Sequence, residues 1–323
     1  MTAPSTTPLP ASPAAVWGAL VVVYLVWGST YLAIRVIVRD MPPLLAMGTR
    51  FLVAGLILAA LVAARSGVGA LRVERRQLGS AAVVGMLLLL GGNGMVAVGE
   101  QTVPSGLAAL IVSATPLWIV LLRLSTGDRP RAVTILGTLL GFAGIAVLAR
   151  PGSVEEHVEL WGIIVVIAAT VSWAVGAFST PRLQMPANPF VATTYEMLAG
   201  GAAMILVGSA RGEWRGFDPS AVSLDSWLWL VYLITAGSLA AFSAFVWLLG
   251  NAPLSLVATY AYVNPVVAVL LGALVLDESV TAAVVVGGLI VVAGVALVVT
   301  QERPRRATPT PEQPPLVPAE RPS

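Results

Sequence analysis

The chain has 323 residues, 57% hydrophobic and 11% charged, with a mean hydropathy of +0.89. A soluble domain carries about 25% charged residues, so this chain cannot cover itself with polar groups in water, and lipid is its expected solvent. The net charge of +2 comes from arginine without lysine, mostly in loops, so no nucleic-acid partner is expected. With no cysteine there is no disulfide, zinc-thiolate site or thiol nucleophile. The lone His157 lies beside Glu155 and Glu156 and reads as a solvated loop residue. No phosphate-binding loop and no paired carboxylates at one depth occur, so neither an enzyme nor a cofactor or metal site is expected.

In chain order, residues 1–13 hold Ser, Thr and four prolines and read as a disordered tail. The apolar run that follows has no basic leader and many spans after it, so it reads as a retained helix, not a signal peptide. A helix needs about 20 residues to cross the hydrocarbon core. Ten runs meet this: 15–38, 44–64, 78–99, 104–124, 131–149, 160–180, 190–210, 227–249, 254–276 and 279–299. None alternates with period two, so the fold class is an all-α membrane protein. Residues 301–323 are Pro-rich and read as a second tail. With the N-terminus inside, twelve arginines fall in cytoplasmic segments and five outside. The expectation is therefore a multi-pass cell (inner) membrane protein with both termini cytoplasmic.

Leu107–Ala149 and Leu256–Val298 share one pattern. Pro104 matches Pro253 and Pro116 matches Pro265. After a one-residue insertion, Asp128 matches Glu278, Gly137 matches Gly287, and Gly144 matches Gly294. Upstream, Pro43, Arg50 and Gly55 match Pro189, Glu196 and Gly201. The chain divides into five-helix repeats at 14–150 and 151–300. Five is odd, so the second repeat enters the membrane inverted. Inverted repeats build paired gates around a midplane site in transporters.

Polar groups at membrane depth are functional candidates. The first helix offers Trp27, Ser29, Thr30 and Tyr31. The sixth offers Ser172, Trp173, Phe178 and Ser179, and the eighth Ser243 and Trp247. In the third, Gly91, Gly92 and Gly94 permit close approach or a local break, and Asn93 needs a partner inside the bundle. In the fourth and ninth, Ser113, Thr115, Pro116 and Trp118 stand opposite Tyr260, Tyr262, Asn264 and Pro265 across the repeat. Proline frees the carbonyls of Val112 and Ala261 for water, a hydroxyl or a solute donor. The expected substrate contacts are Trp27, Thr30, Asn93, Thr115, Trp118, Trp173, Phe178, Trp247, Tyr260 and Asn264. Arg50 and Glu196 are expected to snorkel to their interfaces, with Glu196 as a coupling candidate. Glu100, also a coupling candidate, is expected with Gln101 at the outer surface. Gly137, Gly141 and Gly144, with Gly287 and Gly294, read as packing faces that join the halves or support a homodimer.

These residues resemble the drug/metabolite transporter superfamily, in its EamA-domain branch. The resemblance rests on WGSTYLAIR (Trp27–Arg35), RFLVAG (Arg50–Gly55), ATPLW (Ala114–Trp118), GDRP (Gly127–Pro130), DESV (Asp277–Val280) and Asn264–Pro265, and it covers residues 15–299. It implies a ten-helix inverted-repeat bundle with helices one, three, four, six, eight and nine around a cavity and five and ten outside. It also implies export of amino acids and other small metabolites, by exchange or with an ion gradient. The family's turn usually carries Gly-Glu. Here it reads Gly127-Asp128 and Asp277-Glu278, which leaves a helix-capping role open to both copies.

The function expected is secondary active export of an amino acid or aromatic metabolite by alternating access, with membrane lipid around the bundle. The alternative is a non-transporting scaffold or regulator on the same fold, which would tolerate loss of Asn93, Thr115 and Asn264.

Overall fold

The computed structural model describes residues 12–127, 129–149, 158–252 and 254–301. His157, Asp128, Pro253 and nearly all of both tails lie outside the described residues. Among the described residues eight helices are long and apolar enough to span a membrane, and two shorter apolar helices complete ten. They are α1 (Pro13–Asp40), α2 (Pro43–Ser66), α3 (Arg75–Gly99), α4 (Ser105–Ser125), α5 (Ala132–Leu148), α6 (Leu160–Ser179), α7 (Pro189–Ala210), α8 (Leu224–Asn251), α9 (Tyr260–Leu276) and α10 (Ala282–Gln301). No strand occurs among the described residues. Helix is the natural answer to lipid, because it pairs every backbone group inside its own segment.

Local chemistry starts these helices. Proline stands at the first turn of α1, α2 and α7, where its missing N–H costs nothing. Side chains then satisfy free N–H groups. Asn188 Oδ1 accepts from Phe190 N at 2.9 Å, and Ser223 Oγ accepts from Ser226 N at 3.2 Å. Two caps come from far along the chain. Glu213 accepts from Leu44 N and Leu45 N at 3.1 and 3.0 Å, closing the start of α2. Glu278 accepts from Ser105 N and Gly106 N at 2.7 and 3.0 Å, closing the start of α4. The turn residue therefore caps a helix of the other half.

The two halves pair like with like. α2 packs on α7, and α5 packs on α10. Glycine makes both approaches possible. A Cβ on Gly144 would lie 2.7 Å from Val291 N and 2.9 Å from Gly287 O, and one on Gly294 would lie 2.6 Å from Gly137 O. A Cβ on Gly201 would lie 2.8 Å from Leu52 N and 3.0 Å from Gly48 O. Of the two uses expected for the glycine faces, the structure displays the joining of halves within one chain. Cross pairs also repeat: α1 lies on α8 and α9, and α6 lies on α3 and α4. This is the ten-helix bundle of two inverted five-helix repeats. Leu56, Leu139, Leu206, Leu274 and Leu289 project from its outside, exposed to the lipid.

Four helices depart from regularity. In α3, Met86–Gly94 is π-helical, and in its repeat mate α8 so is Leu233–Ala240. π-Segments widen the backbone and recur at functional sites. In α4 the helix breaks after Val112 and resumes at Thr115. Pro116 thus opens a second helical segment and does not kink a continuous one. Pro265 lies inside α9, which has its own break before Tyr260.

Candidate functional site

The first half of the site gathers on α1. Trp27 stacks within 5.1 Å of Phe245 on α8 and 5.4 Å of Tyr260 on α9, and Phe245 meets Tyr260 edge-on at 5.7 Å. The Trp27 indole N–H donates to Gly237 O at 3.2 Å, in the π-segment of α8. Thr30, one turn on, is half-buried and donates to Trp27 O at 2.6 Å. Ser29 pairs with the Tyr232 hydroxyl at 2.6 Å, and Tyr24 pairs with Thr259. The middle of α1 thus carries aromatic and hydroxyl groups that meet α8 and α9. Asn264 is buried beside Gly28, whose Cβ would lie 3.2 Å from Asn264 O.

The second cluster joins α3 and α6. The glycines of α3 let α6 side chains reach its backbone. Ser172 donates to Leu87 O at 2.8 Å, and the Trp173 ring covers Gly92, where a Cβ would lie 2.6 Å from it. Asn93 is half-buried and bonds to no described residue, against the expectation of a partner inside the bundle.

On α4, Thr115 donates to Val112 O at 2.7 Å. The carbonyl opened by the break is thereby satisfied within the chain. Trp118 packs edge-on against Phe142 of α5 at 4.7 Å, and its indole nitrogen is buried without a partner. Asn264 Oδ1 is likewise buried and has no partner among the described residues. Each is a group that a solute or water would complete. Phe178 lies at the end of α6 with the exposed Arg182 guanidinium 3.6 Å above its ring, and Trp247 is 38% exposed on α8. The structure therefore brings Trp27, Thr30, Tyr260 and Asn264 together, while Asn93 with Trp173, Thr115 with Trp118, Phe178, and Trp247 stand in separate surroundings.

Two charged residues, Arg50 and Glu100, behave differently from their expectations. Arg50 is 4% exposed and does not snorkel. It is the eighth residue of α2, and its side chain turns inward to α8, where Nε donates to Ser238 Oγ at 2.9 Å. Its guanidinium lies 4.5 Å from the Phe51 ring centroid. Position along a helix sets depth, but rotation about the axis decides between lipid and protein, and Arg50 points at protein. Glu196, its repeat mate, is half-buried with its backbone against Gly85 of α3. Glu100 was expected at the outer surface with Gln101. Gln101 is exposed, but Glu100 is fully buried. Among the described residues both of its carboxylate oxygens lack a hydrogen-bond partner, and Arg35 donates to its backbone carbonyl. Val103 and Pro104 of the following loop are buried as well, so the end of the apolar run is not the surface.

Comparison with known proteins adds what geometry alone does not. The EamA-like transporter family matches residues 14–150 and again 160–300. This chain belongs to the EamA-like transporter family. It is similar to the uncharacterized inner membrane transporter YedA of Escherichia coli K12, at 40% identity over 79% of this chain and 81% of that one. It resembles the uncharacterized transporter YvbV of Bacillus subtilis at 26% identity, over 90% of this chain and 93% of that one. A protein of Escherichia coli K12 named as a probable amino-acid metabolite efflux pump is 28% identical, over 88% of this chain and 95% of its own. A crystal structure 23% identical matches the fold with a TM-score of 0.60, over 88% of this chain and 96% of that one. The chain is a multi-pass membrane transporter of the EamA-like family, and the two family matches fall on the two halves that pack like with like.

Sequence reasoning left out Phe245, Ser238 and Tyr232 and misplaced Arg50. A usable signal existed for Arg50: a lone cation about 10 Å along an apolar helix is too deep to leave without a partner.

Proposed function

We propose that this transporter is a secondary active exporter of amino acids or related small metabolites, working by alternating access. The observation that carries the reading is the double family match on two inverted halves, each with a π-segment in its third helix. Paired, inverted gates around one site are what such a repeat supplies. The relative named as an amino-acid metabolite efflux pump supports the substrate class. Trp27, Thr30, Tyr260 and Asn264 hold the solute from α1 and α9, and Asn93, Trp173, Thr115 and Trp118 serve it from α3, α6 and α4. Glu100 and Glu196 are the coupling groups. The repeats run 14–150 and 151–300, with tails at 1–13 and 301–323 and both termini cytoplasmic, in keeping with the arginine distribution.

The test is flux in proteoliposomes with labelled amino acids and small aromatic metabolites, with and without a pH gradient. Saturable movement of one solute supports the reading. Folded protein that moves none of them, with or without the gradient, overturns it.

A further inference from the structure

Arg50 carries a full charge to a place where no charged group among the described residues pairs with it. It is 4% exposed, inside an apolar span. Among the described residues it forms no ion pair. Its contacts are neutral: Ser238 Oγ on Nε at 2.9 Å, Met47 Sδ at 3.9 Å from one terminal nitrogen, and the Phe51 ring beneath. A guanidinium has five N–H donors. The Ser238 bond uses one and the sulfur contact is weak, so most of the terminal fork has no oxygen acceptor. Charges at membrane depth are costly and pair with each other, with backbone carbonyls or with what passes through the site. This one has no such pair among the described residues.

The surroundings say what would pair with it. Gly237, next to Ser238, is the common neighbour of Arg50 and the α1 cluster. A Cβ there would lie 3.4 Å from the guanidinium and 3.5 Å from Thr30 Cγ2, and its carbonyl holds the Trp27 indole. The π-segment thus seats a fixed cation beside an aromatic trio. Ser238 holds Nε, which leaves the two terminal nitrogens to meet a planar anion end-on.

We infer that Arg50 is the binding group for the carboxylate of the transported solute, with Ser238 as its positioning residue and the Trp27, Phe245 and Tyr260 rings beside the solute's apolar part. This rests on the transporter reading above and names the chemical feature its substrates share. A single cation fits a monoanionic carboxylate better than a dianionic phosphate ester. Binding neutralises the buried charge, so the loaded carrier loses a cost that the empty one bears.

The experiment measures binding to the purified full chain in nanodiscs, by calorimetry. The probes are the twenty amino acids, 3-phenylpropanoate, 2-phenylethylamine, phenylalaninamide and phenyl phosphate. Wild type, Arg50→Lys, Arg50→Met and Ser238→Ala are compared, and size exclusion establishes that each is folded. Carboxylates should bind to wild type, while the amine and the amide should not. Arg50→Met should weaken carboxylate binding by at least about tenfold, as loss of a buried charge partner does. Arg50→Lys should keep part of it, and Ser238→Ala should weaken it less than Arg50→Met. If Arg50→Met does not fold, the Arg50→Lys and Ser238→Ala variants still decide, because carboxylate affinity equal to wild type in both overturns the inference. So does binding of the amine, the amide or phenyl phosphate in preference to carboxylates, or wild type that binds no carboxylate. Saturable flux of solutes lacking a carboxylate would sink this inference and leave the transporter standing. Arg50-dependent carboxylate binding without any flux would do the reverse.

Discussion

Glu278 ties the two halves together, and its removal should be costly. Its carboxylate oxygens accept from Ser105 N at 2.7 Å and Gly106 N at 3.0 Å, across more than half the chain. Glu278 is 9% exposed and Ser105 is fully buried, so water replaces the lost acceptors poorly. Each buried N–H left without an acceptor costs about 1–3 kcal/mol. Glu278→Ala strands two, for a gross loss of about 2–6 kcal/mol. A loss within that range is expected. Reversible unfolding in mixed micelles, read by tryptophan fluorescence, measures this directly. Asp277→Asn is the control: Asp277 is exposed at φ 54°, a left-handed conformation that asparagine also tolerates. It should stay within about 0.5 kcal/mol of wild type. Gly272→Ala should reproduce part of the Glu278 loss, because its Cβ would lie 2.9 Å from the Glu278 carboxylate carbon. Glu278→Ala as stable as the control would refute the claim that this cap holds the halves.

Other perturbations follow the same geometry. Gly144→Ala forces a methyl to within 2.7 Å of Val291 N and should cost about 1–3 kcal/mol by the same unfolding assay. Gly79→Ala, with nothing within 4 Å, should cost nothing. Asn264→Ala should lower flux more than it lowers the amount of folded protein in the membrane, and equal loss of both would make Asn264 a packing residue. Glu100→Gln should abolish stimulation of flux by a pH gradient while leaving solute exchange in place. Stimulation that survives the substitution would remove Glu100 from the coupling role.

Much of the architecture was legible because lipid restricts the choices. Run length located all ten helices, and the Pro and Gly register located the repeat. The glycines at 137, 144, 287 and 294 were legible as a packing face, though whether within one chain or between two was not. What hydropathy lacks is rotation about each helix axis. That is why Arg50 reads as a snorkelling residue when it turns to Ser238, and why Trp118 reads as facing α9 when it packs on Phe142. The π-segments are equally hidden, since one extra residue per turn leaves an all-apolar run unchanged. Glu100 misleads for another reason: the end of an apolar run marks where a helix stops, not whether a loop covers it.

Alternating access makes the most direct demand, and the absence of native cysteine makes the measurement clean. Spin labels at Gln101 and Val280 report the end where α3 and α9 finish, and labels at Val68 and Leu183 report the opposite end. All four sites are exposed. Distances are measured by pulsed electron resonance with and without the solute that the liposome panel identifies. Alternating access requires that one pair separates as the other draws together. Two ends that move in the same sense, or not at all, in protein that binds the solute would contradict it.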